Sequence, residues 1–116
     1  MDILEQLAAR YKALSEPLRI RLLCLVAHAE EICVCDLVTA TGVSQSMVSR
    51  HLAYLRNSGW VTARRDKLWI HYRIARQADG FGQDILKTLV NQAVLSQQIQ
   101  KDLQALKNIP SSGRNC

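Results

Sequence analysis

The chain has 116 residues, enough for one small domain. Its 48% hydrophobic and 22% charged residues exclude a low-complexity or disordered chain. Fifteen Lys and Arg against ten Asp and Glu leave a net charge of +5, which suits a polyanionic partner, and no segment approaches the roughly 18 apolar residues that cross a bilayer.

The first residues, Met1-Asp2-Ile3-Leu4-Glu5, are acidic and amphipathic, unlike a signal peptide. Together with only four cysteines (Cys24, Cys33, Cys35 and Cys116), this predicts a cytoplasmic protein with reduced thiols. Ile3, Leu4, Leu7, Ala8, Tyr11 and Leu14 recur at helical spacing and predict a helix over Asp2 to Leu14. Ser15 is expected to cap the next helix, with Pro17 in its first turn, where a missing N–H costs nothing. That helix, through Leu18 to Ala27, is apolar on most sides and should be the central core helix. Cys24 within it reads as a core residue.

A loop from His28 to Ile32 leads to Cys33-Val34-Cys35. A short helix is expected over Val34 to Thr41, ended by Gly42, since glycine tolerates the left-handed conformation there. Ser44 caps a longer helix, Gln45 to Asn57, closed by Gly59. Two helices joined by so short a turn make a helix-turn-helix. Next, Trp60 to Arg64 and Leu68 to Ile74 read as strands. Leu68, Ile70, Tyr72 and Ile74 alternate with polar or amphipathic residues around a charged tip, Arg65-Asp66-Lys67. This is a β-hairpin wing. A single long helix is expected from Gly80 to Lys107, carrying Phe81, Ile85, Leu89, Val90, Val94, Ile99, Leu103 and Leu106. It is too long to pack wholly on so small a core. With the first helix, it is the natural interface of a homodimer. The fold class is therefore mainly α with a β-hairpin wing, a winged helix-turn-helix. Residues 1–108 form the DNA-binding and dimerisation domain, and 109–116, rich in Pro, Ser and Gly, form a flexible tail.

The basic charge gathers on the expected reader. From Ser44 to Arg76, Arg50, Arg56, Arg64, Arg65, Lys67, Arg73 and Arg76 face only Asp66. At the start of a recognition helix, Gln45, Ser46 and Ser49 are placed to meet base edges in the major groove. Arg50, Arg56, Arg64, Arg65 and Lys67 suit phosphates, and the helix start at Ser44 offers further N–H donors. The expected partner is double-stranded operator DNA, and no membrane. No nucleophile–base–acid set is visible, and Cys-X-Cys lacks the Cys-X-X-Cys redox spacing, so an enzyme is not expected.

Cys33 and Cys35 are poorly spaced to bridge each other. Two thiolates so close favour soft or borderline ions, including trivalent arsenic. The start of the following helix is expected to lower the Cys35 pKa through its dipole. Burial of both as small hydrophobes is the alternative.

Five segments resemble the ArsR family of metalloregulatory repressors. They are Glu31-Ile32-Cys33-Val34-Cys35-Asp36-Leu37, Ser44 to Leu52, Leu55-Arg56-Asn57-Ser58-Gly59, Lys67 to Arg73, and, earlier, Ser15-Glu16-Pro17-Leu18-Arg19. The Cys-Val-Cys-Asp-Leu run is similar to the arsenite-responsive branch. The resemblance implies a homodimeric repressor of an arsenic-resistance operon, released from DNA when trivalent arsenic or antimony binds Cys33 and Cys35, with no organic cofactor. In the arsenite-sensing pattern a third cysteine follows that run, and here the position is Val38. The third ligand is then Cys116 from either subunit, an outside thiol or hydroxide. Alternatives are a sensor of another soft ion or of thiol oxidation, and a constitutive DNA-binding dimer with structural cysteines. The zinc-sensing branches place His and acidic ligands on the last helix, which here has no His and no Cys.

Overall fold

The computed structural model of the chain describes residues 2–76 and 80–110. Among these, six helices and three strands occur in the order α1 (Ile3–Ala13), α2 (Pro17–Ala29), β1 (Ile32–Cys33), α3 (Val34–Thr41), α4 (Gln45–Asn57), β2 (Val61–Asp66), β3 (Trp69–Ile74), α5 (Phe81–Ala93) and α6 (Gln97–Lys107). The expected class, mainly helical with a hairpin wing, is the observed one.

The core gathers on α2, which buries Leu18, Leu22, Leu23, Cys24, Leu25 and Val26. Leu37 of α3 and Val48, Leu52 and Leu55 of α4 meet it, all fully buried. The i, i+4, i+7 spacing of the α4 residues puts one face of the helix inward and leaves the other to solvent. Trp60, expected at the start of a strand, is instead a fully buried plug before it. Its indole N–H donates to the Arg10 carbonyl oxygen over 2.9 Å, which satisfies the polar edge of a buried ring and ties α1 to the wing.

Local signals set most boundaries. Gly42 ends α3 in the left-handed conformation at φ 70°, its N–H donating to the Val38 carbonyl. The Ser44 hydroxyl accepts from the Met47 N–H at the start of α4. The expected cap of α2 is corrected. Ser15 turns its hydroxyl back to the Lys12 carbonyl at the end of α1, and the Glu16 carboxylate accepts the Arg19 N–H instead. Leu68, expected to alternate inward, lies in the hairpin turn beside Lys67 (φ 60°) and is 84% exposed.

Two larger differences bear on function. The single helix expected over 80–107 is two helices broken at Val94-Leu95-Ser96. The Ser96 hydroxyl accepts from the N–H groups of Gln98 and Ile99 and starts α6 anew. The break lets α6 fold onto α2 and α3, burying Ile99, Asp102 and Leu106. There Asp102 pairs with both Nε and one Nη of Arg21, at 2.8 and 2.9 Å, and the same Nη donates to the Thr41 carbonyl at the end of α3. Asp102 raises the Arg21 pKa through this pairing, against burial.

The second difference is β1. The wing is a three-stranded antiparallel sheet in the order β1-β3-β2. Ile32 faces Tyr72 and Cys33 faces His71, so the last residue of the expected loop and the first cysteine form an edge strand of the wing.

Candidate nucleic-acid interface and thiol site

The exposed face of α4 carries Gln45, Ser46, Met47 and Arg50, with Ser44 just before it and Ser49 half-buried. Ser44, Gln45 and Ser46 thus stand together at the open start of the helix, where N–H groups are free for an anion. The Ser44 and Ser46 hydroxyls lie 3.4 Å apart. Arg50 reaches back to the Met47 sulfur at 2.9 Å, so the guanidinium lies along the reading face. Met47 escaped the sequence reading. It is an exposed apolar side chain between polar readers, the type of group that contacts a thymine methyl. Arg56 is exposed at the far end of α4.

On the wing, Arg64, Arg65 and Lys67 are all exposed, but their surroundings differ. Arg64 forms a two-pronged pair with Glu31: Nε to Oε2 at 3.0 Å and Nη2 to Oε1 at 2.6 Å. Arg73, on the neighbouring strand, adds a contact to Oε2 at 3.5 Å. The Arg64 pair holds the Glu31 carboxyl below the usual range, with Arg73 and His71 adding to it. Arg73 is counted in the basic cluster and Glu31 opens the cysteine segment, but neither is among the expected site residues. The second of two adjacent glutamates, Glu30-Glu31, carries no local sign that it faces two wing arginines.

His51, on the inner flank of α4, sits against Arg19 (Nδ1 to Nη1, 3.3 Å) and near Glu16 (3.9 Å). The Arg19 guanidinium also covers the Tyr54 ring at 4.1 Å and donates to the Ala13 carbonyl. This cluster fastens α4 to the α1–α2 corner and sets the angle of the reading helix.

The thiol site lies where β1 passes into α3. Cys33 is the residue before α3, extended at φ −83° and ψ 157°, with no side-chain cap bond at the helix start. It is 6% exposed, and Cys35 in the first turn is half-buried against the core. The expected lowering of the Cys35 pKa is reversed. Burial pushes it up, and the neighbouring Asp36 carboxylate adds to the rise. Cys24 is buried as expected, and burial, then Asp102, push its thiol to about 11. The expectation of free thiols holds for Cys24 and Cys35, whereas Cys33 is disulfide-bonded. The structure thus brings Cys33 and Cys35 to one corner. Cys116 lies outside the described residues. Among the described residues, no group of three His, Cys, Asp or Glu side chains is arranged to hold a metal ion, and Val38 is half-buried apolar packing.

Residues 16–63 match the family model described as "Bacterial regulatory protein, arsR family". The chain is 35% identical to the arsenic resistance transcriptional regulator ArsR2 of Pseudomonas putida over 85% of its own length and 84% of the relative's. It is 43% identical to the arsenical resistance operon repressor of Escherichia coli over 56% of each chain, a little over half of that relative's length. Among solved structures, the transcriptional repressor BigR of Xylella fastidiosa superposes with a TM-score of 0.62 at 31% identity, covering 78% of this chain and 85% of that one.

Proposed function

The chain belongs to the ArsR family of bacterial regulatory proteins, and from that premise we propose that it represses an arsenic-resistance operon and leaves DNA when trivalent arsenic or antimony binds reduced Cys33 and Cys35. DNA-binding transcriptional repression is the family's role. One observation supports the finer reading most. The residue before α3, Cys33, is also a sheet partner of wing strand β3, while α3 packs on the reading helix α4. An ion drawing the Cys33 and Cys35 sulfurs together therefore pulls on the wing and on the helix-turn-helix at once.

The two-thiolate set fits a soft thiophilic ion, not a hard one. The third donor is Cys116 of either subunit, an outside thiol or hydroxide, because Val38 offers none. Base contacts come from Gln45, Ser46 and Ser49. Phosphate contacts come from Arg50, Arg56, Arg65, Lys67 and the start of α4 at Ser44, with Arg64 conditional on its pair with Glu31. The working unit is a homodimer. Ile3, Leu4 and Tyr11 of α1 are 52–70% exposed. An open groove of about 510 Å³ between α1 and α5, lined by Tyr11, Leu14, Ile85 and Leu89, continues that apolar face.

The test is to titrate arsenite into the reduced protein bound to a DNA duplex selected for tight binding. Wild type should dissociate and the Cys33→Ser/Cys35→Ser protein should stay bound; release of the double variant would reject the site. Loss of sensitivity in Cys116→Ser identifies the third donor. A second reading, a thiol-oxidation sensor, draws on the disulfide at Cys33. In that case a mild oxidant, and not arsenite, dissociates the complex. Cadmium in the same titration tests a different soft ion, and a complex indifferent to all three is a constitutive binder.

A further inference from the structure

We propose that Glu31 is a counter-charge that limits the wing's grip on DNA, holding Arg64 and Arg73 in an ion-paired state that a phosphate must otherwise supply. The inference rests on the DNA-binding reading and deepens it. Arg64 directs Nε and Nη2 at the two carboxylate oxygens of Glu31, the same two-pronged geometry with which arginine takes a phosphate. Arg73 shares Oε2 at 3.5 Å. Both guanidiniums are more than half exposed, so neither is held by packing. The carboxylate is therefore the main local partner of two cations on the surface expected to meet the DNA backbone.

The backbone places Glu31 there with strain. Glu30 adopts φ 68° and ψ −52°, a positive-φ conformation costly for a residue with a Cβ. Its two neighbours close a γ-turn through the Glu31 N–H and the Ala29 carbonyl at 2.8 Å. This turn ends α2 and delivers the chain into β1, so Glu31 is fixed at the sheet edge opposite Arg64 and Arg73. Glutamate at position 31 contributes nothing to the core; it is one-quarter exposed. Strain of this kind persists where the surrounding structure enforces it and often marks a working position.

The electrostatic consequence is specific. A guanidinium already neutralised by a carboxylate releases few counterions from DNA, so it adds little to the salt dependence of binding. Freed from Glu31, one arginine adds about 0.9 to the slope of log affinity against log salt, and two add about 1.8. One added contact corresponds to about 3.5-fold more affinity lost between roughly 50 and 200 mM salt. Glu31 is a positioning residue: it sets which state of Arg64 and Arg73 the DNA meets.

The experiment measures binding of the reduced full chain to a mixed-sequence DNA duplex across a salt series, for wild type, Glu31→Gln, Glu30→Gln, Arg64→Gln and the Glu31→Gln/Arg64→Gln double. Backbone contacts do not depend on the operator, so no cognate sequence is needed. Glu31→Gln should bind several-fold more tightly at low salt, with a slope steeper by about 0.9 to 1.8. Glu30→Gln removes the same charge one residue away without touching the pair and should change the slope little. In the double variant, removing Arg64 should cancel at least half of the gain. An unchanged or weaker Glu31→Gln overturns the proposal, as does an equal gain in Glu30→Gln, which would make the effect one of net charge. Wild type with no salt-dependent binding would instead reject the DNA reading on which the proposal stands. A matched thermal melt of each variant keeps a folding defect from being read as a binding change.

Discussion

Two helix starts, 11 residues apart, differ in nearly every physical respect. At α4 the preceding residue is Ser44, exposed, its hydroxyl accepting from the chain at 3.3 Å, with Gln45, Ser46 and Met47 open to solvent. At α3 the preceding residue is Cys33, buried at a sheet edge and without a side-chain cap bond. The first start leaves its capping hydroxyl and the polar side chains beside it open to solvent. The second is closed off from water, with the Cys33 sulfur buried and disulfide-bonded. Similar backbone turns thus carry an exposed polar residue at one start and a buried sulfur at the other. The difference lies in the capping residue and its burial, not in the helix.

The turn joining α3 to α4 lies between the two starts, and the deepest way to break the comparison is to loosen it. Arg21 holds the Thr41 carbonyl at that turn and is itself held by buried Asp102. Asp102→Ala should leave Arg21 without its counter-charge and cost about 3–5 kcal/mol in denaturant unfolding. Within the folded reader, Gln45→Ala should cost about 1–3 kcal/mol of discrimination at one base pair. Competition between duplexes substituted at single positions measures it. A uniform loss across sequences would instead place Gln45 on the backbone. Ser44→Ala should lower stability by about 1 kcal/mol through the lost cap, with a matching chemical-denaturation shift. Converting Cys33 to serine should not produce a comparable loss of helix capping, because no cap bond exists there.

The smallest effect concerns a third helix start. At α2, burial raises the Glu16 pKa, but the N–H groups of Arg19 and Leu18 and the charges of His51 and Arg19 outweigh it and lower the net value. A carboxylate with a depressed folded pKa contributes stability above its unfolded pKa and loses it as pH falls through the folded value. Thermal melts down the acid range should show a steeper fall for wild type than for Glu16→Gln. Parallel curves would mean the cap is not ionised in its working state.

Legibility followed the range of the interactions. Gly42 and Ser44 act within a few residues of themselves, so α3 and α4 were readable to the residue, with the exposed reader face between them. The break at Val94-Leu95-Ser96 is hidden because apolar residues recur at helical spacing on both sides of it, Val90 and Val94 before and Ile99, Leu103 and Leu106 after, with only the five-residue step from Val94 to Ile99 out of register. Ser96 is a cap only once α6 turns to bury Asp102 against Arg21, a contact between residues far apart in the chain. β1 was missed for a related reason. A two-residue strand has no periodicity and exists because β3 supplies its hydrogen-bonding partner.

The sequence by itself determined the winged helix-turn-helix, the polar face of its reader and the pairing of two thiols just ahead of it. Caps, turn glycines and alternation are local properties written into adjacent residues. Only the tertiary structure decided that Ile32 and Cys33 form a wing strand, that α6 braces the turn, and that Glu31 faces Arg64 and Arg73. Each of these depends on packing and charge brought together from distant parts of the chain. The Cys35 thiol shows the same division: its place at a helix start was plain from sequence, but burial and Asp36 decided the direction of its pKa.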